Sequence, residues 1–210
     1  MTMASKQRQD AATVWNERYS VPEFIFGTQP NAYLARQRHL LEPGGRALAV
    51  ADGEGRNSVW LAGLGLEVDA FDVSAVAVAK ARNLARDAGV DVDFQVADCD
   101  SWDWTPASYD VVAAIFIQFA GPDMRARLFA RMVQALRPGG LLVLQGYTPR
   151  QLEFNTGGPG VLENLYTEAL LRAQFGALQI LDLQVYETEL QEGARHAGPS
   201  ALVGMVARKT

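Results

Sequence analysis

Cysteine is nearly absent: Cys99 is the one thiol in 210 residues, which excludes an intramolecular disulfide and a thiolate metal cluster. Histidine is almost as scarce, with His39 and His196 alone, and no His, Cys and carboxylate groups fall at ligand spacing, so no metal site is expected. No apolar run approaches the roughly 20 residues that span a bilayer, and the opening "MTMASKQRQD" lacks the apolar segment of a signal peptide. Positive charge is not in excess. Nineteen Lys and Arg against 24 Asp and Glu give a formal charge of -5, so neither nucleic acid nor an anionic membrane is expected as partner. What remains is a soluble, cytoplasmic protein, monomer or homodimer, whose partner is a small molecule. At 49% apolar residues the chain can build one well-packed core, and a single domain is expected.

From Arg46 onward, short β-type runs alternate with longer helical patterns, the signature of a parallel sheet flanked by helices. Strands are expected at Ala47–Ala51, Val68–Val73, Val92–Val96, Tyr109–Phe116, Leu141–Tyr147, Ile180–Glu187 and Leu202–Arg208, several apolar throughout, as strands buried on both faces must be. Ser74 reads as the N-cap of a helix that runs to about Ala88 and closes on Gly89. Further helices are expected from Asp123 to before Pro138 and, capped by Thr167, from Glu168 to Phe175. The first 45 residues hold two helices, about Asp10–Tyr19 and Asn31–Leu41, around the ordered loop "SVPEFIFGTQP". The longest irregular stretch, Thr148–Leu165, carries three glycines and is expected to border a site.

In an open parallel sheet, ligands bind beyond the carboxyl ends of the strands. That rule gathers Asp52, Gly53, Glu54, Gly55 and Arg56 from the first strand, Asp72 and Ser74 from the second, and Asp98 and Cys99 from the third. Glycines at 53 and 55 let the chain turn and let a ligand approach helix amides. Asp72, about 20 residues on, suits a ribose diol, and Asp98 an exocyclic amine.

The stretches "ALAVADGEGRN", "VDAFDVS", "VADCDSWDW", "YDVVAAIFIQF" and "LRPGGLLVLQGY", in that order, resemble the class I S-adenosylmethionine-dependent methyltransferases. "LQILDLQVYETEL" and "SALVGMVARK" resemble the strand pair that closes that fold, while "WNERYS", "FIFGTQPN" and "EGARHAG" resemble a bacterial small-molecule branch near the tellurite-resistance and thiopurine-type enzymes. The resemblance implies a Rossmann-like, seven-stranded, mostly parallel sheet with an antiparallel last strand and helices on both faces. It divides the chain into a helical cap (1–45), a cofactor-binding core (46–147), and an acceptor loop with the closing strand pair (148–210). It implies S-adenosyl-L-methionine as cofactor, with Gly53 and Gly55 beside its methionine part, Asp72 on the ribose and Val73 against the adenine. Asp98 and the Cys99 amide then meet the adenine edge, Ile115 packs close by, and Trp15 and Tyr19 cover the ligand. Two family positions depart: Ala49 replaces an acid and Ala51 a glycine. Asp52 or Arg56 is expected to hold the amino-acid end instead.

Methyl transfer from a sulfonium needs mainly orientation and desolvation of the acceptor, and a base only where a proton must leave. His196 and Arg195, in the connection between the last two strands, are the candidate catalytic pair, because a sixth strand parallel to the others delivers that connection to the ligand edge. His39 is expected to be structural. Tyr147, Arg150, Gln118 and Phe119 are expected around the acceptor, a small molecule such as a thiol or chalcogen oxyanion, with Gly157 and Gly158 as hinges of a lid. A nicotinamide or flavin enzyme fits less well, since Ser58 stands where a third glycine is needed. A binding protein without turnover shares the fold and is separated by assay.

Overall fold

The protein is described by a computed structural model, which covers the backbone of residues 3–154 and 156–210 and side chains from residue 11 onward. Seven strands form one sheet: β1 (Arg46–Val50), β2 (Glu67–Asp72), β3 (Asp93–Val96), β4 (Tyr109–Ile115), β5 (Leu136–Tyr147), β6 (Gln179–Gln191) and β7 (Ala197–Arg208). The helices are α1 (Met3–Tyr19), α2 (Ala32–Arg36), α3 (Arg56–Gly63), α4 (Ala75–Ala88), α5 (Pro122–Ala135), α6 (Gln151–Phe154) and α7 (Glu168–Gln174). The spatial order is β3-β2-β1-β4-β5-β7-β6. β1 to β5 pair in parallel, and β7 is antiparallel to both β5 and β6, so β6 runs with the parallel set as the sequence predicts.

Alternation along the central strands explains the two helical layers. Val112, Ala114, Leu142 and Leu144 face a core completed by Leu128, Phe129 and Met132 of α5 and Leu171 of α7. Val111, Ala113, Leu141 and Val143 face the opposite way, toward Tyr33 and Leu34 of α2 and Leu61 of α3. Every one of these side chains is buried, so an apolar run without a polar face is what β4 and β5 require. Ser74 caps α4 by accepting from the Ala77 amide at 3.1 Å, and Gly89 ends it at φ 69°. Thr167 caps α7 in the same way.

Three stretches depart from the sequence reading. The helix expected at Asn31–Leu41 is α2 followed by a 3₁₀ turn, Gln37–Leu40, with Asn31 as N-cap. β5 begins at Leu136, before Pro138, because a register shift after Tyr109 lets it pair early. β6 and β7 reach much further, to Gln191 and from Ala197, leaving only residues 192–196 as their turn. Pro199 sits inside β7 opposite Glu189, on a polar arm whose pattern reads as loop.

That long hairpin has a consequence for the site. Its turn closes through Glu192 N–H donating to the His196 carbonyl at 2.8 Å, and Arg195 N–H donates to the Ile25 carbonyl at 3.1 Å. Gly193, at φ 77°, lies so close to residues 26 and 27 that a Cβ there would stand 2.5 Å from the Gly27 nitrogen. The tip therefore docks on the loop that follows α1 and brings His196 over the strand ends.

Candidate functional site

The strand order reverses between β1 and β4, and at their carboxyl ends opens a cavity of about 830 Å³. Beyond β1 the chain turns at once: Ala51 has φ 49°, Gly53 φ 62° and Gly55 φ 90°. The left-handed region disfavours a side chain, so the family glycine that Ala51 replaces has a conformational reason. Asp72, at the end of β2, stitches this turn to the next. Its Oδ2 accepts from the Gly53 amide and its Oδ1 from the Ser74 amide, both at 2.9 Å. Burial raises its pKa to about 6 against the opposing pull of those amides. A carboxylate offers about four acceptor sites, so Asp72 keeps capacity for a ligand.

The two turn glycines have different reasons to be glycine. A Cβ at 53 would stand 2.7 Å from the Tyr19 hydroxyl, on the cavity wall. A Cβ at 55 would meet the Ala81 side chain of α4 at 2.7 Å, away from the cavity. Gly55 thus serves helix packing, and its expected contact with a ligand is not present among the residues that line the cavity. Ser74 is also absent from the wall, being occupied as helix cap and as donor to Asn16 Oδ1 at 2.7 Å. Trp15, Tyr19, Asp52, Gly53, Arg56 and Asp72 do line it, as do Val73, Asp98, Cys99 and Ile115. The Trp15 and Tyr19 rings stack at 5.5 Å between centroids.

The charged groups are held by specific partners. Asp52 accepts from the Ser58 hydroxyl, and burial lifts its pKa to about 7 despite that bond. Ser58 is thereby buried and occupied at the position where a dinucleotide fold needs glycine. Glu54 pairs with Lys80 at 2.5 Å. Arg56 is 6% exposed and pairs with Glu192 of the hairpin tip at 2.8 Å, while its Nη1 is buried without a partner. Glu192 also accepts from Asn31 Nδ2 at 3.1 Å and the Ala32 amide at 2.9 Å. At the third strand end, Asp98 Oδ1 accepts from the Asp100 and Ser101 amides at 2.8 Å. The Cys99 thiol is pushed up to about 12, chiefly by burial, which rules it out as a nucleophile near neutral pH.

At the other end the wall is aromatic. Phe26 lies 4.5 Å and Phe116 4.3 Å from the His196 ring, centroid to centroid, and Tyr147 stands 5.8 Å away. Burial, helped by the Arg56 charge, drives the His196 pKa down to about 3, so its imidazole is neutral. Its Nδ1 and the Tyr147 hydroxyl are both buried without a partner. Arg195 lines the rim, exposed to solvent. Gln118, Phe119, Gly157 and Gly158 border this end as expected, though Gln118 is spent on the Tyr147 and Asn164 carbonyls. Arg150 does not: it pairs with Glu187 at 2.5 Å outside the cavity. Trp102 and Trp104 pack on Phe71 in the core.

The sequence reading gave no role to Phe26, Phe116 or Glu192. Phe116 had a signal, the position after Ile115 at a strand end. Glu192 had none, because its partner is 136 positions away in sequence, counting from 56 to 192. Among the described residues no cluster of His, Cys, Asp and Glu could hold a metal, and no helix is long and apolar enough to cross a membrane.

The cavity's polar groups fit an adenosyl amino acid: an unpartnered guanidinium nitrogen on Arg56 for a carboxylate, the buried Asp52 for an ammonium, and Asp72 for a diol. Comparison with known proteins agrees. Residues 47–140 match a family model described as a methyltransferase domain. A demethylmenaquinone methyltransferase of Renibacterium salmoninarum is 32% identical over 133 residues, 62% of this chain and 50% of that protein, so the chain spans about half the length of this relative. A structure solved in work on the conversion of a disulfide bond into a thioacetal group during echinomycin biosynthesis superposes with a TM-score of 0.77 at 18% identity, covering 94% of this chain and 91% of the other. TehB from Haemophilus influenzae superposes at 0.69 with 15% identity, covering 95% and 67%. At those identities the two structures speak for the fold alone. The matched segment 47–140, which spans β1 to the start of β5, is thus similar to a methyltransferase domain, and the chain as a whole shares the Rossmann-like fold of these solved structures.

Proposed function

We propose that this protein transfers the methyl group of S-adenosylmethionine to a small-molecule acceptor. The observation that carries the reading is a single cavity with two chemically distinct ends, carboxylates and Arg56 at the β1 and β2 ends and neutral aromatic rings beside His196. Asp72 takes the ribose hydroxyls, and Val73, Asp98 and the Cys99 amide take the adenine. Ile115 packs nearby and Trp15 and Tyr19 cover the ligand. Asp52 receives the cofactor's ammonium and Arg56 Nη1 its carboxylate, in place of the acid that Ala49 lacks. When bound, the cofactor supplies a methyl group on a positively charged sulfur that leaves as a neutral thioether.

The remaining work falls to the chain's own residues. The aromatic wall excludes water from the acceptor, and the neutral imidazole of His196 accepts the proton that the acceptor loses as its lone pair bonds to the methyl carbon. With a pKa near 3, His196 is unprotonated at neutral pH and a weak base, so it orients the acceptor, takes the proton only as the bond to the methyl carbon makes the acceptor atom strongly acidic, and releases it when the product leaves and the site opens to solvent. Arg195, exposed at the rim, faces any anionic substituent of the acceptor. A thiol or hydroxyl acceptor fits this wall, where the cation next to His196 is the exposed Arg195, and the likeness to TehB carries the fold alone.

Calorimetric titration with S-adenosylmethionine, S-adenosylhomocysteine and NAD tests the reading. Micromolar binding of the two adenosyl ligands and none of NAD is expected, and Asp72→Asn is expected to weaken it tenfold or more, on the order of 1.4 kcal/mol. Binding of NAD alone would overturn the reading.

A further inference from the structure

Four rings from four separate segments meet at the far end of the cavity: Phe26 after α1, Phe116 after β4, Tyr147 at the end of β5 and His196 at the hairpin tip. The arrangement is held deliberately. Phe116 sits at φ 56°, in the left-handed region that a bulky residue rarely adopts, and non-glycine backbone of this kind persists where surrounding structure enforces it, often at ligand sites. Gly157 and Gly158 press on Tyr147, where added Cβ atoms would stand 2.9 Å from its hydroxyl and 3.2 Å from its ring.

Among the buried groups charge is balanced at this end: Arg56 and Glu192 neutralise each other at 2.8 Å, and Arg195 stands at the rim, exposed to solvent. An ammonium would find no free carboxylate among the rings, and an inorganic oxyanion would find no buried cation that is not already paired. Two polar atoms are nevertheless buried without partners, the Tyr147 hydroxyl and His196 Nδ1. Tyr147 is 1% exposed and His196 8%. Buried polar atoms of this kind are rare and are normally matched by protein, water or ligand. A hydroxyl both donates and accepts, so one hydroxyl-bearing ligand satisfies a tyrosine O–H and a neutral imidazole, which a weakly bonding thiol does less well. Ring walls set at 32° and 58° to one another offer faces and edges to another aromatic ring.

Resting on the methyltransferase reading above, we infer that the acceptor of this enzyme is an uncharged, planar aromatic hydroxyl compound, seated among Phe26, Phe116, Tyr147 and His196. The cofactor's adenosyl end and the acceptor then occupy opposite ends of one cavity.

The test is calorimetric titration of the whole protein, with and without saturating S-adenosylhomocysteine, using 2-naphthol, its saturated and non-planar analogue decahydro-2-naphthol, tetramethylammonium chloride and sodium tellurite. The expected result is 2-naphthol binding at least tenfold tighter than the saturated alcohol, with neither ion competing. Phe26→Leu and His196→Phe each lower the 2-naphthol affinity fivefold or more, and by a larger factor than they lower S-adenosylhomocysteine affinity. Equal affinity for the two alcohols, displacement by tellurite or tetramethylammonium, or wild-type 2-naphthol affinity in both variants would overturn the inference. Failure of S-adenosylhomocysteine to bind strikes the methyltransferase reading instead, and the titration without it still reads the aromatic subsite. Cofactor binding with no binding of 2-naphthol overturns the acceptor inference alone.

Discussion

Glu192→Gln removes a charge and almost nothing else. The amide keeps an oxygen for Asn31 and the Ala32 amide, yet Arg56, 6% exposed, loses the carboxylate 2.8 Å from its Nη2. Removing one partner of a buried pair leaves the other charge uncompensated, at a cost of about 3–5 kcal/mol. Coulomb attraction at that separation is about 6 kcal/mol with an effective dielectric of 20, so the figure is consistent with partial relief by water and by rotation of Arg56. For a chain of this length, each kcal/mol lowers Tm by about 2–4 °C, so the variant should melt roughly 6–20 °C below the parent. The double variant Arg56→Met with Glu192→Leu removes both charges and should recover at least about 2 kcal/mol relative to the sum of the two single changes, because an apolar pair of similar volume is close to neutral. Urea denaturation at pH 7.5 reads all five proteins, the parent, Glu192→Gln, Arg56→Met, Glu192→Leu and the double variant, with an unchanged slope required for the comparison. Additive losses, or a Glu192→Gln midpoint equal to the parent's, would show that the pair does not carry the hairpin tip onto the cavity.

Asp52, with its pKa near 7, must be ionised to hold a ligand ammonium, so cofactor affinity should rise by tenfold or more between pH 5.5 and 7, and by a clearly smaller factor in Asp52→Asn, where Asp72 near 6 still titrates, measured by calorimetry. The same rise in parent and variant would place the ammonium elsewhere. His196 titrates lower in the fold, near 3, than the 6.5 of the free side chain, so its contribution is present above pH 6.5 and lost as pH falls toward 3. The parent should therefore lose stability more steeply than His196→Phe between pH 6.5 and 4, an effect that Asp52 and Asp72, whose raised values act in the opposite sense, cannot produce. Ala51→Gly should stabilise by about 1 kcal/mol and raise Tm by about 2–4 °C, since Ala51 has φ 49°; a lower Tm would mean that the Ala51 methyl packs better than its backbone is strained.

The cavity wall at the ends of β1 to β3 was legible because its residues are local to strand ends. Asp52, Asp72 and Asp98 each follow a recognisable apolar run, and a parallel sheet brings successive carboxyl ends to one edge whatever the details of packing. Ser74 and Gly55 were assigned to the ligand for the same reason, and there the rule overreached. A residue at a strand end also starts a helix, so the cap of α4 and the approach of Ala81 claimed them first. Motif position shows which residues are near a ligand, but it does not separate those that face it from those that shape the turn.

The acceptor end depended on a tertiary event with no local signature. The stretch from Thr188 to Ser200 is polar, with glycines and a proline, and reads as a loop, but it is a two-stranded arm because β7 continues past the sheet and β6 follows it. Only that extension carries residues 192–196 back over the loop after α1, where Gly27 and Gly193 allow two backbones to touch. The same contact sets Glu192 on Arg56 and His196 against Phe26, so the ion-pair partner of the group proposed to hold the cofactor's carboxylate and the group proposed to take the acceptor's proton share one five-residue turn. The proposed cofactor and acceptor sites are thereby mechanically joined: a ligand that draws Arg56 toward its carboxylate pulls on Glu192, and the Glu192 amide holds the His196 carbonyl at 2.8 Å. A cavity whose two ends are fastened to the same hairpin tip has a physical route for cofactor binding to order the acceptor wall, which the isolated strand-end motifs do not contain.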